Sequence, residues 1–160
     1  MARRTAYSSA TLTVKVTESL TIDGRDYGGS STATFSSIKN VTRRIETITT
    51  TEATIVTFSS VIGAGQYVAA NIAYMRFTNL DDTNFITLTF KNSADDEVAI
   101  KLDAGQTFVL AGDNSGGMAS MMNAVAGDAD SDQALADLKD IQADANTGSC
   151  DMEIYIAGTA

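Results

Sequence analysis

Residues 74–92 read YMRFTNLDDTNFITLTFKN. In the first run Tyr74, Arg76 and Thr78 alternate with Met75 and Phe77. In the second, Ile86, Leu88 and Phe90 alternate with Phe85, Thr87 and Thr89. Alternation of period two sends successive side chains to opposite faces and marks a strand with one buried side. Between the runs, NLDDTN supplies short Asn and Asp side chains that bond their own backbone and tolerate turn geometry. The reading is two strands and a tight turn, expected to pair as a hairpin.

Working outward, EVAIKL (97–102) alternates again after the turn KNSADDE, and QTFVL (106–110) follows the turn DAG. Four strands with short connections suggest a meander in which sequential neighbours pair. Leu88 and Ile100, on adjacent strands of it, are both expected in the core. Upstream, Leu12, Val14 and Val16 point one way and Thr11, Thr13, Lys15 and Thr17 the other, before the Asp-Gly and Gly-Gly turn chemistry of IDGRDYGGSS (22–31). The section from 32 to 60 is rich in Thr and β-branched residues, which favour a pleated surface. It reads as strands near 32–38, 42–50 and 53–60, and VIGAGQY (61–67) reads as a loop.

Downstream the pattern changes. Met118, Met121, Met122 and Val125 fall at i, i+3, i+4 and i+7, one stripe of a helix. Such a stripe serves as an adaptable lid on a core. Asp130 and Gln133 fit a loose capping box for a short helix through Leu135 and Leu138. The tail DIQADANTGSCDMEIYIAGTA reads as a final hairpin turning at NTGS. The fold class expected is therefore all-β: an antiparallel β-sandwich, jelly-roll-like, with one or two short helices near 118–138. Residues 1–10 form an N-terminal arm, and 11–160 a single domain.

Composition narrows the function. The 160 residues are 44 % apolar, with no His, Trp or Pro, one Cys and a net charge of −9. Residues 1–80 hold 8 basic and 5 acidic side chains, and residues 81–160 hold 3 basic and 15 acidic. An acidic surface repels phosphate, so nucleic acid is not an expected partner. No run is long enough to cross a bilayer as a helix, and MARRTAYSSATLTV lacks the apolar core of a secretory signal, so no membrane role is expected. With one cysteine no intramolecular disulfide can form, and Cys150 reads as a buried bystander.

Catalytic patterns are incomplete. GDNSGG (112–117) is near the setting of a serine nucleophile, but no histidine exists to activate Ser115. GAGQYVA has Val68 where a dinucleotide fingerprint needs its third glycine. Asp128, Asp130 and Asp132 start like a calcium loop, yet Gln133 and Lys139 occupy the glycine and glutamate positions. A solvated acidic loop and a cation site of another geometry both remain open there. Carboxylates are numerous enough to form a glycosidase pair, and nothing marks one. The expectation is no enzyme, no cofactor and no resident metal.

Three segments carry a resemblance: YMRFTNLDDTNFITLTFKN, AIKLDAGQTFVL and the ending ADANTGSCDMEIYIAGT. Together they resemble small structural proteins of tailed bacteriophages, especially marine ones, in which a TNLDxTNF turn precedes IKLxAGQSF and a late CDxEVYIA strand. The resemblance extends more loosely to ATLTVKVTESLTIDGRDYGG and RRIETITTTEATIVTFSS. It implies a virion subunit made in the host cytoplasm, with other virion proteins as partners: the major capsid protein, or tail or neck proteins. Two posts are implied, a capsid decoration (cement) or head/neck-associated subunit, and a tail or fibre accessory involved in host attachment. The family carries over no functional residues.

Candidate assembly residues come from the chain itself. Arg3 and Arg4 stand together in the N-terminal arm, where two guanidinium groups could grip an acidic neighbour. Thr49, Thr50 and Thr51 lie in ITTTEATIVTF, a strand-forming segment guarded only by Glu52. Closed homo-oligomeric symmetry would hide such an edge.

Overall fold

The structure, a computed structural model, describes residues 8–61, 63, 65–112, 116–123 and 137–160. The expected arm residues Arg3 and Arg4, Ser115, the acidic loop 128–132 and the capping pair Asp130 and Gln133 lie outside the described residues.

Two sheets pack face to face. One contains β5 (Asn40–Ile48), β13 (Cys150–Gly158), β8 (Ile72–Asn79) and β11 (Thr107–Ala111), side by side in that order. The other runs β10 (Glu97–Leu102), β9 (Ile86–Asn92), β12 (Leu138–Ala145) and β6 (Ala53–Phe58), with the two-residue β7 (Gln66–Tyr67) on its edge. All pairings are antiparallel except that of β6 with β7. Followed along the chain, the eight long strands change sheet at every connection except the one between β9 and β10. Together with the strand order, that alternation defines a jelly roll. The fold is an all-β antiparallel sandwich.

The meander expectation is corrected by this topology. β8 and β9, which carry the stretch 74–92, are not paired: β8 lies between β13 and β11, and β9 between β10 and β12. The connection Leu80–Phe85 is an arch that carries the chain from one sheet to the other, a step of about 10 Å between facing sheets. Likewise β12 and β13 do not form a final hairpin, and β10 and β11 sit in different sheets. Leu138, expected on a helix, is the first residue of β12. It packs in the core, where the ladder with Asn92 supplies the backbone partners a helix would have supplied internally.

Alternation did locate the inward faces. Ile86, Leu88 and Phe90 point in from one sheet, and Met75, Phe77, Ile154 and Ile156 from the other, each at most 1 % exposed. Ile100 stands directly opposite Leu88 but on edge strand β10, and is only half-buried. A helical turn, α1 (Gly117–Met121), closes one end by placing Met118 in the core with Met121 and Met122 against it. The methionine stripe thus acts as the expected lid, and Val125 lies outside the described residues. Cys150 is buried.

A separate two-stranded ribbon stands on this sandwich. β1 (Ala10–Glu18) pairs with β4 (Gly29–Ile38), and β2 (Thr21–Ile22) with β3 (Arg25–Asp26) beyond them. Asp23 and Gly24 both have positive φ, 49° and 76°, the signature of a two-residue hairpin turn matched to strand twist. The Asp-Gly turn chemistry therefore does not end the ribbon at residue 22; it caps the tip.

Candidate assembly surface

Locally, the arch in the opening stretch is held by a buried asparagine. Asn79 donates from Nδ2 to the carbonyls of Asn84 (2.8 Å) and Leu102 (3.2 Å), and its Oδ1 accepts from Asp81 N–H at 3.0 Å. Asp81 in turn accepts from the N–H groups of Thr83 and Asn84, which holds its carboxyl below the usual carboxylate range. The arch then docks on the other cross-sheet turn: Phe85 N–H donates to Asn146 Oδ1, and Thr147 Oγ1 donates to Asn84 Oδ1. TNLDDTN and NTGS are one polar cluster at one end of the sandwich, and its groups are spent on the backbone and on one another.

The opposite case is the outer face of the sheet β5-β13-β8-β11. Register puts Val41, Ala157 and Tyr74 in one row across it, and Arg43, Tyr155 and Arg76 in the next. Both arginines reach diagonally to Glu153. Arg43 binds Oε2 through Nη2 at 2.6 Å, and Arg76 binds Oε1 through Nη2. Arg43 and then Arg76 hydrogen-bond the carboxylate and hold its pKa below the usual range despite burial. Arg76 also lies over the Tyr155 ring, 5.9 Å from its centroid.

The base of the ribbon covers part of this face. Phe35, Ile38, Ala73, Tyr74 and Ala157 form a small second core, with Leu12, Val14 and Tyr155 packed against it. Tyr74 is pinned by Phe35 at 6.0 Å and by Tyr155 at 5.9 Å between ring centroids, and burial raises its pKa. Between ribbon and sheet a cleft of about 300 Å³ is lined by Leu12–Lys15, Tyr74, Arg76 and Tyr155. Past this base the ribbon is bare: from Val16 to Thr34 every residue except Gly28 is exposed.

Of the residues singled out from sequence, Thr49, Thr50 and Thr51 fall in the corner between β5 and β6, not on a strand edge. Thr51 N–H and Thr49 Oγ1 bond within the corner, and Ala145 N–H donates to the Thr49 carbonyl at 2.8 Å. An open edge is β5 itself, which, like β11 at the other end of the sheet, pairs on its far side with no strand among the described residues. Sequence reasoning passed over the ribbon and β5, although the exposed Val16, Leu20, Ile22 and Tyr27 were visible as apolar residues near turn chemistry. Among the described residues no group of three or more Cys, Asp and Glu side chains is placed to hold a metal, and no helix is long and apolar enough to cross a membrane.

No protein-family model and no curated protein matches the chain. Among solved structures, a chain from Bacillus endospore appendages, described as a novel family of disulfide-linked pili, aligns over 99 % of this chain and 96 % of its own. The identity is 9 % and the TM-score 0.38, and no argument about function is built on that likeness.

Proposed function

We propose that the chain is a non-enzymatic structural subunit of a tailed-phage virion, bound in many copies to the head as a decoration or head/neck-associated protein. The observation that carries a structural role is the ribbon. Residues Val16–Thr34 contribute almost nothing to the subunit's own core, yet they hold Val16, Leu20, Ile22 and Tyr27 at 51 % exposure or more. An ordered arm with apolar side chains and no intramolecular cover suits attachment to a neighbour. The virion assignment rests on the resemblance of the stretches 74–92, 99–110 and 143–159 to phage structural proteins. Its partners are then other virion proteins and further copies of itself, with no cofactor.

A tail or fibre accessory is the second reading, favoured by the same projecting arm if the arm faces outward to a host. Quantitative mass spectrometry of purified particles separates the two. The head reading expects copy number comparable with that of the shell protein, and the tail reading a small multiple of the tail's symmetry. Absence of the chain from purified particles would overturn both.

A further inference from the structure

The ribbon and the sheet meet on one apolar seam, and both surfaces run on past it uncovered. On the ribbon, Leu12 and Val14 are half-buried at the seam, while Val16, next on the same face, is 51 % exposed. The line continues through Leu20, Ile22 and Tyr27 at 51 %, 51 % and 59 %. On the sheet, Ala157 is fully covered, while its cross-strand neighbour Val41 is 52 % exposed and Ile45, farther along β5, is 61 % exposed. The chain's own ribbon is tethered at its base, because Lys39 alone separates β4 from β5 and its N–H is bonded to Gly158.

Charge adds one local match between these surfaces. The outer ribbon carries Glu18, Asp23 and Asp26 against Arg25. The receiving face carries Arg43 and Arg76, offset by Glu153 and Asp151, and of these groups Arg43 stands between Val41 and Ile45 on β5 with its side chain 68 % exposed. The exposed Arg43 guanidinium is the group an acidic arm docking at Val41 and Ile45 would meet.

We infer that the ribbon of one copy docks, through Val16, Leu20, Ile22 and Tyr27, on the β5 side of the outer sheet face of a second copy, at Val41 and Ile45. The contact extends between copies the seam that the ribbon base already makes within one. It rests on the reading of the chain as a structural subunit, and not on that subunit's post in a virion. Each copy offers one arm and one face, so the contact is heterologous and assembles rings or filaments.

Complementation of two variants tests it. Variant one, with Leu20→Ser, Ile22→Ser and Tyr27→Ser, keeps a good face and a spoiled arm. Variant two, with Val41→Thr and Ile45→Thr, keeps a good arm and a spoiled face. By light scattering at about 100 µM, the unaltered chain associates, each variant alone is monomeric, and the equimolar mixture forms a one-to-one dimer. Hydrogen exchange on the unaltered chain gives a second readout independent of how the variants fold: protection of residues 16–27 and 41–45 rises with protein concentration. A monomeric unaltered chain, unchanged association of the variants, a mixture that stays monomeric, or protection that does not depend on concentration would overturn the inference. If that happens while particles still contain the chain, the structural reading stands and only this docking mode falls.

Discussion

Phe77 and Phe90 meet edge to face across the sandwich, ring centroids 6.4 Å apart at an interplanar angle of 83°. They belong to consecutive long strands, yet they face each other because those strands lie in different sheets. In a hairpin they would have shared one sheet. Each ring is at most 1 % exposed. Truncation of either to alanine should cost about 3–5 kcal/mol. A double-mutant cycle in urea should show a coupling of about 0.5–1.5 kcal/mol, the usual range for such aromatic pairs. Strict additivity would mean that the two rings do not touch.

Leu88 and Ile100 are paired directly but buried unequally. Leu88→Ala opens a cavity in a closed core and should cost about 2–5 kcal/mol. Ile100→Ala, on the edge strand, can let solvent in and should cost roughly half as much. Equal shifts in the urea midpoint would place β10 deeper than the structure has it.

Glu153 predicts an acid limb in stability. Arg43 and Arg76 keep its folded pKa below the ordinary carboxylate value. A carboxyl of that kind contributes its full stabilisation above the unfolded pKa, and loses it as pH falls through the lower, folded pKa. The parent should therefore lose stability from about pH 5 downward. In Glu153→Gln the stability at neutral pH should be lower and the acid slope shallower, as read from melting temperatures across pH. Parallel pH profiles for the two proteins would remove the triad from the account.

Cys150 should be inert while the fold is closed. It is 1 % exposed, burial pushes its thiol pKa up, and its Sγ faces the Gly148 carbonyl at 3.5 Å. Reaction with a thiol reagent should be slow in buffer and immediate in denaturant. Rapid labelling of the native protein would show that the NTGS corner opens.

Much of the fold could be read from period two alone. It assigned Ile86, Leu88 and Phe90 to the core and set the inward face of β8, because a buried side forces apolar residues onto alternate positions. Period two does not say which strand lies beside which. TNLDDTN looks like hairpin chemistry because Asn and Asp satisfy a tight backbone equally well in a turn within a sheet and in an arch between sheets. What distinguishes them is Asn79, whose buried amide binds Leu102, 23 residues away, and no local pattern announces that bond. The assembly surface was harder still. Val41 and Ile45 alternate with polar neighbours as core residues would, and only the fold shows that their side of β5 faces out.

The ribbon's outer half should be dispensable for the fold and required for assembly. Deleting Leu20–Tyr27 leaves Ser19 and Gly28 as a two-residue connection between Glu18 and Gly29, which already face each other. It removes no residue of either core. The most direct measurement is the melting temperature and the molar mass of this deletion variant in one sample, at a concentration where the parent associates. The account predicts an unchanged melting temperature, within about 2 °C of the parent monomer, and a molar mass that drops to the monomer. A variant that still assembles like the parent, or one that melts far below it, would contradict the claim that this arm exists for binding a neighbour.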